Sequence, residues 1–421
     1  MNYQKTILDN GAQVILVPVE GTKSMTTLVM YPVGSRYESE KMSGVSHYVE
    51  HLMFKGTKKR PNTLKLTREI DRLGAHYNAF TSKEYTGYYI TTDVNYAQIS
   101  LDILSDMLFD SLYDPKEMER EKGVIVEEIR MYGDNPLMNI DNIFEDLLYE
   151  GCPLGRDIAG TEKHVLSYKR DEVLKYRDTY YQPSNMIIVI AGNIAPDITD
   201  LLGTYFENRK NKSNARQKLY KPFCFGSAKK SDRFFVQQKK TDQAQLMLGF
   251  PGFMYQDKRN IPELVMSTIL GGSMSSRLFI QIRERRGLAY MVRSGSQNFR
   301  DTGYVFVRAG LEAKNIQKAI AVIKNEIEKI VEKGVTKKEL EDAKTHIRGS
   351  LTLSLEDSSA QAHWYAQQIM FQSEIKTPEE ELTLVEKVTN EDIRRVARQI
   401  FKWDEMRVAV IGDVEREGIR F

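Results

Sequence analysis

The sequence predicts an α+β protein of two homologous domains, each a largely antiparallel sheet with helices packed on one face. Three observations predict it. The chain has 421 residues, more than one average domain holds and enough for two, each with its own core. It repeats itself faintly at an offset of about 220 residues. Its strands come in hairpin-like pairs with turn residues between them, then helices follow. The strict alternation of strand and helix that marks a parallel sheet is absent.

The elements follow in order. "MNYQKTILDNGAQVILV" at the N-terminus reads as strand, turn at "DNG", strand. "TTLVMYPVGSRYE" (26–38) is an apolar strand ending in a proline and a glycine, and "AQLMLGFPGFMYQ" (244–256) repeats it. An apolar helix follows each, "GVSHYVEHLMF" in the first copy and "IPELVMSTILGG" in the second. "LGAHYNAFTSKEYTGYYI" (73–90) matches "LAYMVRSGSQNFRDTGYVFV" (288–307), down to a shared Thr-Gly-Tyr. "PSNMIIVIAGNI" (183–194) and "WDEMRVAVIGDV" (403–414) each close a copy with a buried-looking strand. The polar stretch "NRKNKSNARQKLYKP" (208–222) lacks apolar periodicity and reads as a link. The expected domains are therefore 1–210 and 231–421, with a linker at 211–230.

Composition narrows the function. Hydrophobic residues make up 41% and charged residues 28%, an ordinary globular balance. A net charge of +2, from 60 basic and 58 acidic residues, gives no reason to expect nucleic acid or an anionic membrane as partner. Clusters such as "RERR" (283–286) read as solvated surface. No apolar run approaches the roughly eighteen residues of a membrane span. The N-terminus lacks a charged segment followed by a long apolar one, so the expected location is the cytoplasm. Two cysteines, Cys152 and Cys224, are too few for a disulfide scaffold or a cysteine-based zinc site.

The informative stretch is "SHYVEHLMF" (46–54), with two of the chain's six histidines four residues apart. Ser43 or Ser46 is positioned to cap a helix there. On a helix, residues at i, i+3 and i+4 share a face, so His47, Glu50 and His51 point the same way. Two imidazoles converging on one point suit a metal ion, and a carboxylate beside them suits a bound water. The bland reading is a solvated helical face. Val45, Val49, Leu52 and Phe54 argue against it, because they make the surroundings apolar.

A zinc site of this kind needs a third protein ligand. "PKEMEREKGVIVEEIRMY" (115–132) offers several glutamates, and helical geometry sorts them. Val124, Ile125, Glu128 and Tyr132 lie within about 60° of Glu121, whereas Glu127 lies about 120° away. Glu121 and Glu128 thus face inward, and Glu119 and Glu127 face out. Two buried carboxylates need a cation, which a metal site supplies and which an arginine such as Arg72 or Arg130 could supply instead. In the second copy, "TKKELEDAKTHIRGS" puts Ala343 and Ser350 at the matching places, so one copy alone carries the constellation.

The H-x-x-E-H pattern is that of the inverzincins. With "FKGT" after it, the distant "EREKGVIVEE" and "CPLGRDIAGTEKHV" (152–165), the chain resembles the pitrilysin, insulysin and mitochondrial processing peptidase family of zinc endopeptidases over nearly its whole length. It is most similar to the small, single-unit bacterial branch, near the processing-peptidase β subunit. The resemblance implies one zinc per chain on His47, His51 and Glu128, Glu50 as general base, and Glu121 orienting a ligating histidine. It implies that Arg283 and Tyr290 of "RERRGLAY" face the transition state. It also implies that Asn78, Ala79 and Phe80 of "HYNAFTS" lie on an edge strand that pairs with an extended peptide.

The expected activity is zinc-dependent cleavage of extended or unfolded peptides. A non-catalytic or partner-dependent subunit of the same fold is the alternative, as is a purely structural zinc. Structural sites favour four ligands and cysteine, and neither cysteine is near a ligand in sequence. The large relatives look like two such units joined, with the zinc motif in one and the Arg–Tyr pair in the other. The resemblance therefore implies a homodimer in which the partner subunit completes each site, with a heterodimer with an inactive relative as the variant.

Overall fold

The computed structural model describes residues 3–212, 220, 222–223, 225, 230–416 and 419–420. Much of the expected linker at 211–230, with Cys224, lies outside the described residues. The first stretch of chain forms β1 (Gln4–Ile7), β2 (Gln13–Pro18), β3 (Ser24–Tyr31), α1 (Val45–Leu52), α2 (Thr63–Arg72), β4 (His76–Thr81), β5 (Thr86–Asp93), α3 (Ala97–Asp110), α4 (Pro115–Asp134), α5 (Pro136–Leu148), α6 (Glu162–Ser167), α7 (Arg170–Tyr180), β6 (Ile187–Gly192) and α8 (Ile198–Leu202). The second forms β7 (Phe234–Gln238), β8 (Ala244–Pro251), α9 (Asn260–Gly271), β9 (Ala289–Asn298), β10 (Gly303–Leu311), α10 (Ile316–Lys333), α11 (Lys337–Ser354), α12 (Ser358–Phe371), α13 (Pro378–Glu386), α14 (Asn390–Ile400) and β11 (Arg407–Gly412). Among the described residues, no helix is long and apolar enough to cross a membrane.

The repeat seen in the sequence is a repeat of topology. One sheet runs β1-β2-β6-β3-β5-β4 and the other β7-β11-β8-β10-β9. Leaving out β1, the two orders correspond strand for strand. Pairing directions correspond too: β2 with β6 and β7 with β11 are parallel, and the rest are antiparallel. The shared Thr-Gly-Tyr opens β5 and β10, where Tyr88 and Tyr304 are buried. A Cβ on Gly87 would stand 2.2 Å from the ring of Phe80, so this glycine lets an aromatic ring of β4 lie across β5.

The chain forms two compact units. One holds Met1–Arg130, Arg156–Lys221 and Leu353–Thr377, and the other holds Met131–Gly155, Pro222–Thr352 and Pro378–Phe421. The main division falls between Lys221 and Pro222. Two short segments belong to the opposite unit. In the first unit, β3 residues Val29 and Tyr31 and β6 residues Ile188 and Ile190 pack with Val45, Tyr48 and Leu52 of α1 and Leu101 and Leu104 of α3. This is the expected helical layer. The opposite face of β3 meets α12, where Thr26 and Ser358 share a hydroxyl hydrogen bond of 2.8 Å.

The second unit is built likewise. Leu246, Leu248 and Phe250 of β8 pack with Val265 of α9, Ile323 of α10 and Val396 of α14. On the other face, Met247, Ala409 and Ile411 pack with Ile140, Phe144 and Leu148 of α5. The helix that follows α4 covers the second sheet, and the helix that follows α11 covers the first. The two copies exchange equivalent helices.

Candidate active site

Helix α1 carries the two histidines, and its start is fixed by a residue that sequence reasoning missed. Neither Ser43 nor Ser46 caps the helix through its side chain; the N-cap is Gly44 at φ +95°. The buried carboxylate of Glu38 accepts from the backbone N–H groups of Gly44 (2.6 Å) and Ser46 (2.7 Å) instead. A Cβ on Gly44 would stand 2.3 Å from the carbonyl oxygen of Ala159. The segment "DIAG" (157–160) therefore presses backbone to backbone on the start of α1. Tyr168 and Tyr176 add hydroxyl bonds to Ser43 and Ser46.

Helix α4 delivers the glutamates as the periodicity requires. Glu121 is buried, at 3% exposure, and Glu119 and Glu127 point to solvent. Ile125 is buried as expected, but Val124 of the same face is 49% exposed. The arginine alternative does not occur at Arg130, which pairs with Glu127 and Glu162.

Three donors converge. Nε2 of His47 and Nε2 of His51 are 3.1 Å apart, and Glu128 Oε2 lies 3.7 and 3.6 Å from them. Ligand atoms arranged tetrahedrally on zinc at bonds of about 2.0–2.1 Å stand about 3.3 Å from one another. The observed triangle fits that spacing, and two imidazoles with a carboxylate are a set zinc accepts. Among the described residues this is the one group of its kind. Burial and the nearby His51 push the pKa of His47 down to about 3, so it is neutral and its ring is in the ligating form. His51 Nδ1 is 2.8 Å from Glu121 Oε1, and an ionised carboxylate only accepts, so the ring proton sits on Nδ1 and leaves Nε2 free to ligate. Although burial acts downward on His51, that bond and the charges of Glu50, Glu121 and Glu128 raise its pKa.

Glu50 is 9% exposed and does not join the triangle. Its Oε2 accepts a 2.5 Å hydrogen bond from Thr81 Oγ1 at the end of β4. Burial raises its pKa above the ordinary carboxylate value, against the opposing effects of Thr81 and His51. Burial raises Glu128 as well. Glu121 is held low, because its bonds to His51 and Lys55 outweigh its burial. The Lys55 Nζ is 2.7 Å from Glu121 Oε2. Neither Thr81 nor Lys55 stands out in the sequence as a site residue, although Lys55 lies in the "FKGT" that follows the histidine motif.

Asn78, Ala79 and Phe80 lie on β4, and β4 is the edge of its sheet. Ser82 N–H donates to the Tyr85 carbonyl, so the bonded pairs of the antiparallel ladder fall at Phe80–Gly87 and Asn78–Tyr89. The backbone groups of Tyr77, Ala79 and Thr81 therefore point to the open edge. Among the described residues, Ala79 N–H meets only the side chain of its neighbour Asn78, at 2.9 Å. Phe80 is turned to the other face and packs against His363 of α12.

Arg283 and Tyr290 belong to the second unit. The structure brings them to each other: the guanidinium carbon lies 5.0 Å from the Tyr290 ring centre and 4.8 Å from that of Phe279. Tyr290 is 72% exposed, near the start of β9, the edge strand that matches β4.

Comparison with known proteins identifies the family. Residues 13–162 match the family model described as insulinase (peptidase family M16), and residues 167–347 match the one described as the peptidase M16 inactive domain. The chain is 36% identical over 399 residues to the uncharacterized zinc protease YmxG of Bacillus subtilis, covering 94% of this chain and 95% of that one. A protease from Helicobacter pylori has the same fold, with a TM-score of 0.90 at 24% identity over 98% of this chain and 99% of that one. The periplasmic protease PqqL from Escherichia coli aligns with a TM-score of 0.80 at 20% identity, over 98% of this chain but 47% of its own. The two family models together span most of the chain, and the curated relative is matched almost end to end: the chain belongs to the insulinase family of peptidases, M16.

Proposed function

We propose that the chain is a zinc-dependent endopeptidase that cleaves extended or unfolded peptides. The observation that carries this reading is the meeting of His47, His51 and Glu128 within zinc-ligand spacing, beside a separate buried carboxylate, Glu50. A bound zinc supplies a Lewis acid that activates water and polarises a peptide carbonyl. Glu50 takes a proton from the attacking water and passes it to the departing amine. Thr81 holds the Glu50 carboxylate in place for that transfer. The outward backbone groups of Tyr77, Ala79 and Thr81 pair with the substrate as an added strand, which requires it to be extended.

A non-catalytic subunit has no need of Glu50 beside a full ligand set. The deciding experiment supplies purified protein with one equivalent of zinc and a quenched fluorescent, unfolded peptide. Cleavage that stops with chelator, returns with zinc and is lost in Glu50→Gln supports the reading. A metal-loaded protein without turnover, alone and at high concentration, overturns it.

The active form in this proposal is a homodimer. Arg283 and Tyr290 of one subunit complete the zinc site of the other, holding the substrate carbonyl and stabilising the charge that develops on its oxygen. The exposure of Tyr290 and its stacking with Arg283 support that role.

A further inference from the structure

We infer that Lys55 is a positioning residue for the metal site, fixing the Glu121 carboxylate that in turn orients His51. The inference rests on the proposed zinc site and adds to it a residue that touches neither ligand nor substrate. Each Glu121 oxygen has its own partner. Oε1 lies 2.8 Å from His51 Nδ1, and Oε2 lies 2.7 Å from Lys55 Nζ. The carboxylate is 3% exposed, so water does not substitute freely for either bond. A buried carboxylate with one oxygen unpaired is costly and can turn about its last torsion. With both oxygens engaged, its plane is fixed, and so is the direction in which His51 Nδ1 donates.

The backbone holds Lys55 in place. Phe54 and Lys55 extend the end of α1 by one turn, their N–H groups donating to His51 and Leu52 carbonyls at 3.2 and 3.1 Å. Gly56 follows at φ +123°, and its carbonyl accepts from Leu112 N–H at 3.0 Å. Thr57 closes a turn onto the Arg60 carbonyl at 2.8 Å. Arg60, 6% exposed, is clamped by Glu69, Asp102 and Asp106 at 2.7–2.8 Å. This stretch is a rigid mount, anchored to α2 and α3, and it presents one lysine to one carboxylate. Lys55 makes no other ion pair among the described residues. Histidine ligands lose about 10–100-fold in metal affinity when their outer hydrogen-bond partner is removed. The same physics extends one bond further out here, with an effect at the low end of that range.

The test is a double-mutant cycle read as zinc affinity, by competition with a chromophoric chelator and without any substrate. Lys55→Met should weaken zinc binding by about tenfold, at the low end of that range. Lys55→Arg, which keeps the charge and a donor, should restore most of it. In a Glu121→Gln background, Lys55→Met should change affinity less than about twofold, because the coupling runs through Glu121. Wild-type affinity in Lys55→Met would overturn the inference while leaving the zinc site standing. So would an equal loss in both backgrounds, which would place the effect of Lys55 elsewhere. Failure of the unmodified protein to bind zinc at all would instead overturn the site itself, and the Lys55 inference with it.

Discussion

Thr81 and Glu50 share a 2.5 Å hydrogen bond, which ties the last residue of the open edge strand to the carboxylate of the H-x-x-E-H helix. The strand proposed to receive the peptide and the group proposed to move the proton are thereby set against each other. Thr81→Val removes the donor and keeps the shape. It should lower kcat by about tenfold, the worth of one hydrogen bond to a charged group, with zinc content and KM little changed. Thr81→Ser should recover most of the rate.

Ligands and base separate cleanly by substitution. Glu50→Gln should retain one zinc per chain, measured by atomic emission, and lose peptide turnover by several orders of magnitude. His51→Ala and Glu128→Ala should lose both metal and turnover. Near-normal turnover in Glu50→Gln would exclude the proposed proton transfer.

The open edge of β4 makes two neighbouring prolines unequal. Ala79→Pro removes an N–H that points away from β5, so the fold should survive while KM for an extended peptide rises several-fold. Asn78→Pro removes a ladder bond to Tyr89 and should lower the melting temperature. Equal KM for Ala79→Pro and the unmodified protein would argue against binding by strand addition. Efficient cleavage of a stable folded domain would do the same.

Subunit complementation tests the homodimer. A Glu50→Gln chain and a Tyr290→Phe chain, each nearly inactive alone, should recover part of the activity when mixed and allowed to exchange. No recovery, with exchange shown by mass labelling, would confine the site to one chain or remove Tyr290 from it.

A buried acid in the second unit gives stability a pH dependence. Glu263 of α9 is 1% exposed, and burial raises its pKa from an ordinary 4.5 to about 8 against a bond from Ser296. Between those values the native state keeps a proton that the unfolded chain releases. Its contribution is therefore complete below the unfolded value and lost as pH rises through the folded one, at most about 1.4 kcal/mol per pH unit. Glu263→Gln should lose less melting temperature than the unmodified protein between pH 6 and pH 9. Parallel pH profiles would show that Glu263 is ionised in the fold.

What was legible in the sequence was local or repeated. His47, Glu50 and His51 share a face because three and four residues make one helical turn, and Glu121 and Glu128 share one because seven make two. That the two sheets repeat one plan followed from a duplication visible as Thr-Gly-Tyr and as the closing apolar strands; the order of the strands did not. Contacts set by the fold were not legible. Glu38 caps α1 through a loop rather than through the adjacent serines, and Thr81 and Lys55 reach the site along paths with no periodic signature. Amphipathic patterning shows that α5 and α12 must bury a face. It does not show which sheet receives it, and each goes to the sheet of the other copy.

That exchange has a consequence for ancestry and for cutting the chain. A polypeptide of half this length would leave one face of its sheet bare and carry a helix with nowhere of its own to dock. Such an ancestor could complete itself by lending the helix to a twin and borrowing the twin's in return, and gene fusion would then have made a permanent arrangement of an intermolecular one. The same logic holds at the bench today. Fragments divided near residue 220 should be aggregation-prone apart and should assemble when co-expressed, since each carries the missing cover of the other.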